Sequence, residues 1–150
     1  MTLYTIGYEK AALAPFIATL RDAGVATVLD VRDLPLSRRP GFSKRQLEAS
    51  LDEAGIGYVH LRGLGTPKEG RVAAREGDKV RFWRIVEEKM ATPQAVFDLA
   101  RAADLARATP CCLLCYEADH RVCHRQRVAD ALEAQYGIAP VNHLAVPTHL

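Results

Sequence analysis

The chain alternates short apolar runs with longer stretches of helical period. Residues 3–6 are apolar and β-prone and stop at Gly7, which reads as a first strand. Residues 11–22 place Leu13, Phe16, Ile17 and Leu20 on one helical face, and Gly24 ends that helix. Residues 26–31 (ATVLDV) are nearly apolar throughout, the pattern of a strand covered on both faces. A loop with Pro35, Pro40 and Gly41 follows. Ser43 then opens a helix, with Gln46 three residues on as its reciprocal capping partner, and Gly55 stops it. Residues 56–61 form a third strand. Residues 71–90 are charged and mostly helical without clear breaks, so the structure of residues 66–92 stays open. Thr92 caps a further helix with Pro93 at its first position, ending near Ala108. Residues 111–116 are a strong strand, residues 122–136 a helix stopped by Gly137, and residues 140–146 a last strand before the tail to Leu150.

Strands that alternate with helices imply an α/β chain of one domain. The expected architecture is a three-layer sandwich, with a mainly parallel sheet of about five strands and helices on both faces. The long stretch between the third and fourth strands exceeds one crossover. It predicts extra helices that cover an edge or a pocket.

Composition narrows the class. At 150 residues, with 49% hydrophobic and 25% charged residues, the chain is neither disordered nor collagen-like. No apolar run reaches the roughly 18 residues of a membrane span. The start, MTLYTIGYEK, lacks the basic and apolar regions of a secretory leader, which makes the cytoplasm the expected compartment and a membrane no expected partner. The four cysteines lie between positions 111 and 123, unlike a secreted disulfide scaffold. The net charge of +2 conceals an excess of arginine, 15 against 5 lysines. Arginine presents a planar donor fork suited to phosphate and carboxylate.

Ligands of open α/β sheets bind beyond the carboxyl ends of the strands. The strand ends deliver Gly7-Tyr8, Asp30-Val31-Arg32, His60-Leu61-Arg62 and Cys115-Tyr116-Glu117 to one rim. The loop RDLPLSRRPGFSKR after the second strand carries five basic residues and one acid. Arg32, Ser37 and Arg38 are its candidate anion-binding groups, with Tyr8 beside them. Asp30, in an otherwise apolar strand end, is either a catalytic carboxylate or the group that orients Arg32.

The segment CYEADHRVCHR at 115–125 is the densest candidate. Zinc is one reading, through Cys115 and Cys123, but the segment has no C-x-x-C pair and no H-x-x-x-H. A phosphatase-like loop is a second: Cys115 and Arg121 match C-x5-R, yet the intervening YEADH has no glycine and two acids that would repel phosphate. The third is a mixed pocket of acid, thiol and arginine. There Glu117 serves as general acid or base, Cys123 and His124 form a reactive or orienting pair at a helix start, and Arg125 binds the anion. Lone His143 among apolar residues reads as a satisfied core histidine. No dinucleotide or ATP fingerprint is present, so no cofactor is expected.

TIGY at 5–8, LDVRDLPLSRRPGF at 29–42, GIGYVHLRGLG at 55–65 and LLCYEADHRVCHR at 113–125, in this order, resemble the bacterial and archaeal family called domain of unknown function 488. The family pattern falls on Thr5-Ile6-Gly7, on Asp30-Val31-Arg32 with Pro35, Ser37 and Arg38, on Tyr58, and on Cys115, Glu117, Cys123, His124 and Arg125. Arg121 lies outside it. The resemblance implies a single α/β domain and supplies no activity. The leading expectation is an enzyme acting on a phosphate-bearing substrate, a nucleotide or nucleic acid. The rivals are a non-catalytic binding module for nucleic acid or an anionic metabolite, and a metal-binding protein through Cys and His.

Overall fold

In the computed structural model, which describes residues 2–148, five parallel strands form one sheet: β1 (Leu3–Gly7), β2 (Thr27–Asp30), β3 (Gly57–His60), β4 (Cys111–Cys115) and β5 (Val141–Leu144). Their order across the sheet is β3-β2-β4-β1-β5. Burial follows that order. β4 (CCLLC) lies at the centre and is buried at every position, whereas the edge strands β3 and β5 have no fully buried residue. A strand covered on both faces must be apolar on both, which is why β4 lacks alternation.

Six helices accompany the sheet among the described residues: α1 (Leu13–Ala23), α2 (Lys44–Glu53), α3 (Lys68–Arg75), α4 (Lys79–Met90), α5 (Pro93–Ala108) and α6 (His124–Tyr136). On one face, Phe16 and Leu20 of α1 and Leu47 and Leu51 of α2 pack on Ile6, Val28, Cys112 and Leu114. On the other, Leu99 and Ala103 of α5 and Val128 and Leu132 of α6 pack on Leu3, Leu29, Cys111 and Leu113. Adjacent Cys111 and Cys112 therefore point into different cores. Each fully buried Leu or Phe of these layers contributes roughly 1.5–3 kcal/mol relative to exposure. The sandwich, its parallel sheet and its helices on both faces agree with the sequence reading.

Residues 66–92 resolve into α3 and α4, packed on each other through Ala73, Phe82 and Val86. The break between them comes at Gly77, whose positive φ of 74° favours glycine, and at Asp78, whose side chain accepts from the Arg81 N–H. Thr92 caps α5 as expected, accepting from the Ala95 N–H. Ser43 corrects the capping-box expectation. It makes no side-chain cap on α2; its hydroxyl accepts from the Ser37 N–H at 3.0 Å and donates to the Ser37 carbonyl, so it ties the preceding loop together. His143 is also corrected. It sits half-buried on edge strand β5 beside Thr5 and is not a core residue. No helix among the described residues is long and apolar enough to cross a membrane.

The topology positions the site. β2 and β4 are neighbours, yet the helix after β2 packs on one face and the helix after β4 on the other. Their outgoing loops diverge, and a crevice opens beyond their carboxyl ends.

Candidate functional site

A cleft of about 560 Å³ occupies that crevice. One wall is the loop after β2, with Leu34, Leu36, Ser37, Arg38 and Arg39. The opposite wall is α3 and the start of α4, with Arg71, Ala74, Arg75 and Phe82. Cys115, Glu117 and His124 line its floor, and Tyr8 and Tyr116 its side. The rim alignment rests on sheet register: Gly7 pairs with Cys115, and Asp30 lies between Leu114 and His60.

The arginines divide into spent and free. Arg32 is buried and gives Nε and Nη2 to the two oxygens of Asp30 at 2.9 and 2.8 Å. Its Nη1 reaches the Tyr8 hydroxyl and the Phe42 carbonyl. Burial opposes its charge, but the Asp30 hydrogen bond and charge more than compensate and push its pKa further up. Arg32 thus borders the cleft with its charge already paired to Asp30. Asp30 is fully buried and also accepts from the Tyr58 hydroxyl. It orients Arg32 and does not line the cleft, so its catalytic reading is corrected. Burial, and then the Asp30 charge, holds the Tyr58 phenol well above its ordinary pKa.

Arg39 is spent on the Ala11 carbonyl, and Arg71 on Asp33 and the Thr66 carbonyl. Arg38 and Arg75 are exposed and make no ion pair among the described residues. Arg38 stands where the sequence reading put an anion-binding group. Arg75 was missed, because nothing local shows that α3 lies over the rim. Ser37 lines the cleft, but its Oγ accepts from the Arg39 N–H and shapes the loop.

Arg125 corrects another expectation. It is fully buried, and its Nε donates to Thr5 Oγ1 while Nη1 and Nη2 donate to the carbonyls of Glu117 and Ala118. It fastens the loop after β4 onto β1 and does not reach the cleft. Gly7 serves the same junction: a Cβ there would overlap the Glu117 carbonyl. Arg121 turns outward onto Asp119, so C-x5-R forms no anion loop.

The floor is a group of side chains in mutual contact. Cys123 immediately precedes α6 and His124 is its first residue. His124 Nε2 donates to the Val31 carbonyl at 2.7 Å, which aims Nδ1 at Cys115 Sγ (3.5 Å) and Cys123 Sγ (3.8 Å). Glu117 Oε2 accepts from Cys115 Sγ at 3.3 Å. Burial, then the neighbouring Cys123, raises the Glu117 pKa to about 7. Burial works against a charge on Cys123, but Cys115, His124 and Arg125 outweigh it and lower its pKa, while the Cys115 thiol is raised chiefly by burial. The sequence grouped Glu117, Cys123 and His124 in one reading and Cys115 with Cys123 in another, and the structure brings all four side chains to one place. On the wall, Thr66 Oγ1 is buried without a hydrogen-bond partner among the described residues. Sequence carried no signal for it.

Fold and site define an α/β protein with an arginine-walled cleft over a Cys, His and Glu floor. The chain matches the family model described as Domain of unknown function DUF488 over residues 12–132 and belongs to that family. Comparison with the curated proteins and with the solved structures found no match.

Proposed function

We propose that the protein is an enzyme acting on a phosphate-bearing substrate, a nucleotide or a nucleic-acid end, bound in this cleft. The carrying observation is the pairing of two uncommitted arginines, Arg38 and Arg75, on opposite walls with the orphaned Thr66 hydroxyl between the floor and α3. Guanidinium and hydroxyl donors suit phosphate oxygens. A buried hydroxyl without a partner costs roughly 1–3 kcal/mol, which a ligand acceptor would offset. Leu34, Leu36, Phe82 and Tyr116 supply apolar surface for a base or sugar. Glu117 at the floor is the proton carrier, by its position beside the thiols and the cleft. The reading takes the cytoplasm as the compartment, where grouped thiols stay reduced.

The test is binding and turnover across a panel of mononucleotides and short single-stranded oligonucleotides. Arg38→Ala with Arg75→Ala should weaken binding by about tenfold or more, since tenfold is only about 1.4 kcal/mol. Glu117→Gln should keep binding and lose turnover. Salt-dependent binding without turnover of any panel member would make the protein a binding module. Binding that ignores both arginines would overturn the cleft assignment.

A further inference from the structure

Three soft donors converge at the cleft floor. Cys115 Sγ, Cys123 Sγ and His124 Nδ1 all lie within 4.8 Å of one another, on buried residues. They come from two elements, the last residue of β4 and the start of α6. The intervening loop returns the chain because Arg125 holds the Glu117 and Ala118 carbonyls.

We propose that Cys115, Cys123 and His124 bind a zinc-class divalent cation, with its fourth position open to the cleft beside Glu117. The sulfur–nitrogen separations suit a tetrahedral site. With metal–sulfur bonds of about 2.3 Å and metal–nitrogen bonds of about 2.0–2.1 Å, sulfur and nitrogen ligands stand about 3.5–3.6 Å apart. The two sulfur–nitrogen separations here are 3.5 and 3.8 Å. The imidazole is already set for ligation. Its Nε2–H is held by the Val31 carbonyl at 2.7 Å, which leaves Nδ1 as the donor atom. Thiolate and imidazole donors select zinc over magnesium or calcium. Charge also balances: two thiolates and a neutral imidazole cancel a divalent ion, so a buried site carries no net charge. Binding releases the two thiol protons to solvent.

Three protein ligands and an open position are the pattern of a catalytic ion, not a closed structural one. Cys115 and His124 both line the cleft, which gives the ion its entry path. Cys112, buried in β4 on the other face, lies outside the cluster and serves as the control.

The experiment uses the full chain, reduced and stripped with chelator, titrated with cobalt(II) in buffer free of phosphate. One cobalt per chain is expected, with a thiolate-to-cobalt charge-transfer band and the intense visible bands of a tetrahedral ion, both abolished by zinc. Cys112→Ser should keep the spectrum, and Cys123→Ser should lose about half of the charge-transfer intensity, having one thiolate of two. A wild-type titration without a charge-transfer band overturns the site, whatever the variants do. So does an unchanged spectrum in a folded Cys115→Ser, Cys123→Ser double variant. Because no phosphate is present, the result stands apart from the phosphate reading, and Arg38→Ala with Arg75→Ala should leave the cobalt spectrum unchanged.

Discussion

Asp30 grips Arg32 through both carboxylate oxygens, two residues along the same strand end, and the pair is almost wholly out of water. The pair fixes the start of the basic loop, since Arg32 also holds the Phe42 carbonyl at the loop's far end. Removing one partner leaves a buried charge. Asp30→Ala should therefore destabilise the fold by about 3–5 kcal/mol, measured by urea unfolding. Arg32→Lys should also be costly, because an ammonium cannot replace the planar fork.

Gly7 is required by crowding rather than by backbone angle. Gly7→Ala drives a methyl into the Glu117 carbonyl and must push the loop after β4 outward. A loss of about 1–3 kcal/mol is expected in thermal unfolding. The same variant should weaken ligand binding in the cleft, which a simple stability defect would not do in a sample confirmed as folded.

Thr66 predicts the opposite balance. Thr66→Val removes the orphaned hydroxyl at nearly constant shape. Stability should hold or rise, by up to about 1–3 kcal/mol. Affinity for the phosphate-bearing ligand should fall, read by calorimetry.

His143 stacks on His120, with ring centroids 3.4 Å apart, and its Nδ1 lies 2.6 Å from the Thr5 hydroxyl, which itself accepts from Arg125. Burial, then the charges of His120 and Arg125, lowers its pKa from 6.5. A lowered histidine pKa means that the unfolded chain binds the proton more readily. The contribution to stability is full above the unfolded value of 6.5 and is lost as pH falls below it towards the folded value. Between pH of about 7.5 and 5.5 the wild type should lose more stability than His143→Asn, in paired denaturation curves.

The two serine and threonine helix starts should behave differently. Thr92→Ala should cost roughly 0.5–2 kcal/mol as a lost cap. Ser43→Ala should spare α2 and instead loosen residues 37–43, seen as faster amide exchange at Ser37, whose N–H it accepts.

The layers were legible because the three inner strands are short, largely apolar runs, and Leu47 or Leu99 needs only the helical period to find its face. The site was legible only in part. Sequence shows that Arg32, Arg38 and Arg39 share a loop. Which of them is consumed depends on where the carbonyls of Phe42 and Ala11 point, and that is tertiary. Arg125 sits beside His124 in the chain but one side chain enters the core under β1 and the other faces the cleft floor. Cys115 and Cys123 are seven residues apart from gap to gap in sequence, a spacing with no metal signature, and only the fold of the loop between them closes the distance. Asp78 and Gly77 could have marked the break between α3 and α4, since Gly-Asp is a stop followed by a cap.

The insertion of β4 between β2 and β1 has a kinetic consequence. The first two strands in the chain are not neighbours, so neither can complete its ladder until residues 111–115 have been made and threaded between them. An amino-terminal fragment ending before Cys111 would hold three strands, with β1 cut off from the β2–β3 pair for want of the central partner. Such non-local pairing makes assembly late and slow. The cleft, whose floor begins at Cys115, takes shape only once β4 has joined the sheet, so a chain still emerging from synthesis has no cleft to offer a ligand.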